Sequence, residues 1–390
     1  MAKITIKIAP EILNWIIQEI QFENISDSVF QTLYEWQSGE KIPTFSQIED
    51  ISRKTNIPFG YFFLKTPPKE KCSIVEYRTI DSLMLRNPSR NLIDTLDMMT
   101  NIQEWMREYL KDNGYGQLEF VGRYQNQKEV KDIVKDIRGT LKLNDNWFIN
   151  IKNPADSFKY LRTLYENIGI LVMMNGTVGQ NTHRKLDVSE FRAFTLVDSY
   201  APLIFINTCD SNSGKLFSLL HELVHIWLGV NSFFNEQEVS ITSVKPLEQT
   251  CNIVAAEILV PNEIFVQKWN EKNIADIEKI TDLAGYFKCS KSVITRKALD
   301  NRYITKERYE IIMEEISRQY NEWQESQSKK KSSGGDFYKT MRSKMDRRFI
   351  NALENSAREG RTQYAEAYRL TKTNRKTFSK LVNEMGGEEW

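Results

Sequence analysis

The stretch FSLLHELVHIWLG, residues 217–229, constrains this chain more than any other. It is apolar on every side, as a buried helix is, and Gly229 follows as a C-terminal stop. Yet it carries two histidines and a glutamate, which are costly to bury unless something satisfies them. Residues four apart on an α-helix differ by about 40° in direction. His221 and His225 therefore face the same way and can present imidazole nitrogens to one ion. Glu222 stands about 100° from His221, beside such an ion but not on it, where a carboxylate can take a proton from water. The H-E-x-x-H spacing thus points to His221 and His225 as metal ligands, Glu222 as general base and Zn2+ as cofactor.

A catalytic zinc needs a third protein ligand and an open position. Candidates lie in LEQTCNIVAAEILVP (247–261). Glu248 and Glu257 are nine apart, about 180° around a helix, so only one can face the ion. Geometry alone does not choose between them. Glu236 and Glu238 are weaker candidates, because a loop positions a ligand poorly.

At 390 residues the chain has room for two or three folding units. Its net charge of +1 argues neither for nor against a nucleic-acid partner. Cys72, Cys209, Cys251 and Cys289 are far apart with no CxxC pairing, which fits a reducing cytoplasm. There is no signal-peptide pattern and no apolar run long enough to span a membrane. A cytoplasmic location is expected.

Along the chain, residues 1–64 read as short helices. Ile12, Leu13, Trp15, Ile16 and Ile20 form one apolar side, Gly39 and Pro43 punctuate a turn, and Thr44 with Gln47 forms a capping box. Residues 69–86 look extended, 88–112 and 126–138 helical, and Asp156 to Asn167 helical again. Then the period changes. GILVMM (169–174), FRAFTLVD (191–198) and PLIFIN (202–207) read as strands separated by turns. The motif helix follows, then a loop (230–246), a helix at 247–260 and more helix over 274–320. QSQSKKKSSGGDF (324–337) has a linker's composition. Two helix-like stretches, 341–356 and 362–383, lie beyond it.

The sequence RAFTLVDSYAPLIFINTCDSNSGKLFSLLHELVHIWLG, followed by EQTCNIVAAEILVP, resembles the ImmA/IrrE family of zinc metallopeptidases. The pattern of that family falls on Glu190, Phe191, Arg192 and Phe194, on Asn207, on His221, Glu222 and His225, and on Glu248, Cys251, Asn252, Ala255, Ala256, Glu257, Leu259 and Pro261. The resemblance implies Glu248 as the third zinc ligand and a structural role for Glu257. WQSGEKIPTFSQIEDISRKTNIPFGYFFL is similar to the XRE-type helix-turn-helix modules of longer family members, and the C-terminal region resembles their tails.

The expected fold is α+β and predominantly helical. It comprises a zincin-like domain with a small, about three-stranded, mainly antiparallel sheet, an all-α XRE-like module before it and a helical tail after it. The expected boundaries are 1–68 for the module, 69–150 for a helical connection, 151–322 for the metallopeptidase domain, 323–336 for a linker and 337–390 for the tail. The resemblance implies a protein substrate, an XRE-type repressor whose cleavage de-represses mobile-element or stress genes. The alternative is an antitoxin or regulator that binds a PIN-like nuclease or operator DNA without proteolysis. Residues 1–68 read equally as a DNA-binding module and as a packed regulatory or protein-docking module, because FENISDSVFQTLYEW has few side chains that read bases. An extended substrate is expected to add to an edge strand within 191–198. His183, Arg192 and Tyr200 are candidate oxyanion partners, although His183 reads better as a solvated residue. Asn252 is a candidate partner for a zinc histidine. A helix pair at 274–304 has a helix-turn-helix look that domain core explains as well.

Overall fold

The computed structural model describes residues 5–20, 25–68, 88–126, 129–234, 246–329 and 336–385. It divides into two compact units, Met1–Asp97 and Met98–Trp390.

In the first unit, α1 (Pro10–Ile20), α2 (Asp27–Ser38) and α3 (Phe45–Thr55) pack around a small core that includes Ile12, Ile16, Leu33, Ile48 and Ile51. Local chemistry sets the helix ends. Gly39 adopts φ 79° and closes α2, where a Cβ would be strained. Gln47 Oε1 accepts the Thr44 N–H at 2.8 Å and opens α3. Trp15 is only half-buried and leans on Tyr61. The α3 cations are not free: Lys54 lies 2.8 Å and Arg53 3.8 Å from the Asp50 carboxylate. The extended reading of YRTID falls outside the described residues.

The second unit carries the motif. Its first helices are α4 (Arg90–Asp112, which begins in the first unit), α5 (Val130–Leu141) and α6 (Pro154–Asn167). The strands β1 (Leu171–Asn175), β2 (Thr177–Val178), β3 (Asn181–Lys185), β4 (Ala193–Leu196) and β5 (Leu203–Asn207) lead into α7 (Asn212–Leu228). Then come β6 (Ser232–Phe234) and α8 (Pro246–Leu259). The main sheet runs in the order β1-β5-β4-β6, with β1 parallel to β5 and the other two pairings antiparallel. The small, mainly antiparallel sheet is thus present with one more strand than the pattern indicated. The extra strand, β6, lies in the stretch read as loop. β2 and β3 form a separate hairpin.

One expectation is corrected. β4 is not an edge: it pairs with β5 on one side and β6 on the other. Its four residues are all buried, so the alternation of FRAFTLVD does not mark a wet face. α7 covers one face of the sheet. Gln103 of α4 donates to the carbonyls of Leu196 (2.7 Å), the last residue of β4, and of Ala201 (3.0 Å) beyond it.

The remaining helices are α9 (Asn262–Asn270), α10 (Asp276–Phe287), α11 (Lys291–Asp300), α12 (Lys306–Lys329), α13 (Phe337–Lys344), α14 (Arg347–Arg358), α15 (Tyr364–Thr371) and α16 (Arg375–Met385). Ile280, Leu283, Phe287, Ile294 and Ala298 of α10 and α11 belong to the main core, so that pair serves packing. α12 runs to Lys329, well into the stretch whose composition suggested a linker. Each helix-like stretch of the tail is interrupted: α13 stops at Lys344 and α15 at Thr371. The tail is joined to the sheet: Asp346, fully buried, accepts the Val172 N–H of β1 at 3.1 Å, and Arg162 donates to the carbonyls of Ser343 and Met345. Among the described residues no helix is long and apolar enough to cross a membrane.

Candidate metal centre

α7 is fixed at both ends. Ser211 Oγ accepts the Gly214 N–H at 3.0 Å and caps its start. Asp210, just before it, is buried and accepts from Arg192 and from the Tyr320 hydroxyl, each at 2.9 Å. At the far end Gly229 takes φ 68° and its Cα side abuts Gly122: a Cβ there would lie 2.9 Å from Gly122 Cα. This close approach lets the Gly122 and Tyr124 N–H groups reach the last carbonyls of the helix, Ile226 and Trp227, at 2.9 Å each.

His221, Glu222 and His225 are completely buried. The two imidazoles turn toward each other, with Nε2 atoms 3.1 Å apart. From α8, Glu248 brings Oε2 to 3.1 Å from His221 Nε2 and Oε1 to 3.6 Å from His225 Nε2. One turn on, Asn252 Oδ1 lies 3.0 Å from His221 Nδ1. An amide oxygen only accepts, so Nδ1–H donates to Asn252 and Nε2 is the nitrogen turned toward Glu248 and His225. Two imidazole nitrogens and a carboxylate then face one another, so a proton or a metal ion must lie among them.

The residues fit a metal on spacing as well. A tetrahedral ion with ligands at about 2.0–2.1 Å sets its donors about 3.3–3.4 Å apart; the two imidazole nitrogens are 3.1 Å apart, and each faces a different oxygen of Glu248, at 3.1 and 3.6 Å. Electrostatics agree. Burial raises the Glu248 carboxyl, but its bonds with His221 and His225 outweigh burial and hold it far below the usual range. Burial disfavours a charge on His225, yet Cys251 and Glu248 hold it well above an ordinary histidine. In the absence of metal a proton takes the ion's place.

Cys251 is a second neighbour. It is buried, and its thiol shares with His221 and His225 a cluster whose ligand atoms all lie within 4.8 Å of one another. Burial pushes this thiol up, away from the thiolate a metal would need. Cys251 follows Glu248 by three residues on the same helix face, a signal that sequence reasoning passed over as a ligand position.

Glu222 is placed differently. Its Oε2 accepts from Thr195 Oγ1 at 2.6 Å and Ser232 Oγ at 2.5 Å, while Oε1 is buried with no partner. Neither hydroxyl was expected; a lone Thr in a strand and a lone Ser in a presumed loop carry no motif.

Glu257 is turned away, ion-paired with Lys297 and accepting the Asn262 N–H at 2.9 Å. Glu236 and Glu238 lie outside the described residues. Of the oxyanion candidates, Arg192 is paired with Asp210, Tyr200 lies under the Lys111 ammonium, and His183 is exposed on β3.

Residues 166–299 match the IrrE N-terminal-like domain, a metallopeptidase family (Peptidase_M78). The match spans the sheet, α7 and α8, and with the buried histidine cluster it indicates a metallopeptidase. Residues 345–384 match a domain of unknown function (DUF8813). Neither match reaches residues 1–68. No curated protein and no solved structure matches the chain.

Proposed function

We propose that the chain is a zinc-dependent endopeptidase acting on a protein partner, with His221, His225 and Glu248 holding the ion and Glu222 as general base. The observation that carries this reading is the split at Glu222: one oxygen is tied by two hydroxyls and the other is buried, bare and available for a proton. A purely structural site has no use for such a carboxylate.

Zinc would supply Lewis acidity toward the scissile carbonyl and the attacking water. The rest falls to the chain. Asn252 holds His221 in the tautomer whose Nε2 can ligate. Thr195 and Ser232 hold the Glu222 carboxylate still, and Oε1 takes the proton of the attacking water and returns it to the leaving amine. Glu248 is favoured over Cys251 as third ligand because its carboxyl is held far below the usual range, whereas burial pushes the Cys251 thiol up.

An extended substrate adds to β6, the last strand of the sheet among the described residues. Ser232 of β6 touches Glu222, so a strand laid there lies beside the base. The resemblance to ImmA/IrrE peptidases supports an XRE-type repressor as substrate. The test is co-expression with candidate repressors. Glu222→Gln should retain the metal and leave the repressor intact, whereas wild type should cut it. Cleavage undiminished in Glu222→Gln would overturn the assignment.

A further inference from the structure

We propose that the C-terminal helices α14, α15 and α16 form a helix-turn-helix that reads double-stranded DNA, with α16 as the helix laid in the major groove. This proposal does not depend on the peptidase reading.

The sequence YAEAYRLTKTNRKTFSKLVNEM (364–385) builds the motif from local chemistry. α15 is eight residues long and ends where Lys372 takes a left-handed φ of 52°. Three residues later α16 begins, opened by Asn374, whose Oδ1 accepts the Thr377 N–H at 2.9 Å. A short helix, a three-residue turn and a longer helix are the dimensions of a DNA-reading helix pair. α14 completes a three-helix core: Phe349 and Leu353, Ala367 and Leu370, and Phe378 and Leu381 are all buried.

What faces out decides the function. Arg375, Lys376, Ser379, Lys380 and Asn383 are exposed and recur at three- to four-residue spacing along one side of α16. Among the described residues no carboxylate pairs with Arg375, Lys376 or Lys380; the Lys380 ammonium lies 3.7 Å from the Tyr338 ring centre. Two exposed helix cations outside this region are neutralised in place: Arg296 by Asp300, and Arg318 by Glu315 and Glu322. One carboxylate, Glu354, lines the cleft that this face shares with Tyr364 and Tyr368.

The wider charge agrees. Residues 337–385 hold twelve Lys/Arg against five Asp/Glu, a balance of +7 in a chain whose total is +1. Concentrated positive charge around a polar helix face whose cations no described carboxylate pairs is the footprint of a duplex-binding surface. The side-chain types suit base edges: arginine and lysine to guanine, asparagine to adenine.

The test uses the full chain and a pool of random-sequence duplex DNA. Wild type should enrich a shared motif. Arg375→Ala with Lys376→Ala should weaken binding to that motif about tenfold or more, and Asn383→Ala should relax the preference at one position. Arg53→Ala with Lys54→Ala should leave the motif unchanged. Circular dichroism of the variants, all altered at exposed positions, checks folding. Failure to enrich any sequence, a preference for single-stranded RNA, or a motif indifferent to Arg375 and Asn383 would each overturn the proposal; retention of a protein by this face with no DNA affinity would assign it to docking instead.

Discussion

Thr195 Oγ1 of β4 lies 2.6 Å from Glu222 Oε2 of α7. The same carboxylate oxygen receives Ser232 Oγ from β6 at 2.5 Å. Two strands and the motif helix thus converge on one side chain. Two hydroxyls on one oxygen hold the carboxylate in one orientation and leave Oε1 buried without a partner.

The first prediction follows from this clamp. Thr195→Val preserves shape and removes the donor, and Ser232→Ala does the same from the other strand. Each should lower peptide cleavage about 10–100-fold while metal content stays at the wild-type level. A double variant with unchanged kcat would show that the hydroxyls do not orient the base.

The third ligand can be identified without activity. Glu248→Gln should bind zinc more weakly, and Cys251→Ser should bind it as wild type does, both read as metal per folded chain. The cobalt-substituted protein should lack thiolate-to-metal absorption. Observing that band would move the ligand role to Cys251.

In metal-free protein, Glu248 and His225 should stabilise the fold within a defined pH window. The lowered Glu248 contributes fully above its ordinary 4.5 and loses that contribution as pH falls through its folded value. The raised His225 contributes fully below its ordinary 6.5 and loses it as pH rises through its folded value. Both are complete between pH 4.5 and 6.5. Urea unfolding should therefore show the largest gap between metal-free wild type and metal-free Glu248→Gln inside that window; a gap that does not vary with pH would rule out the coupling. Zinc affinity should instead rise with pH, because the proton must leave first.

A fourth prediction concerns how the tail is held. Both Asp346 oxygens accept backbone N–H groups, Oδ2 from Val172 and Oδ1 from Phe349, each at 3.1 Å. Asparagine has only one acceptor there, so one buried N–H would face an amide donor. Asp346→Asn should lower unfolding free energy by about 1–3 kcal/mol, measured by denaturant titration; an unchanged midpoint would show that the tail does not depend on this contact.

Much of the candidate site was legible because helical spacing carries it. The four-residue step that aligns His221 with His225 is a property of any α-helix, as is the offset of Glu222. The caps at Thr44 and Gly229, and the turn at Gly39, were legible for the same reason, since each depends on a few neighbouring residues. Strand pairing is not local in this sense. FRAFTLVD alternates as an edge strand would, but β6 pairs with it from a segment that carries only three strand residues.

Sequence alone, then, determined the layout of α7: that His221 and His225 share a face, that Glu222 stands beside them, and where the helix stops. Local spacing suffices for that, because the helix repeats every few residues whatever surrounds it. Only the tertiary structure decided that Glu248 rather than Glu257 stands against the histidines, that Cys251 joins them, that Thr195 and Ser232 grip Glu222, and that β4 is enclosed while β6 is terminal. Those outcomes depend on which faces of distant elements are buried together, and burial of apolar surface is non-directional. It acts on the sum of the chain and leaves no mark at any single position.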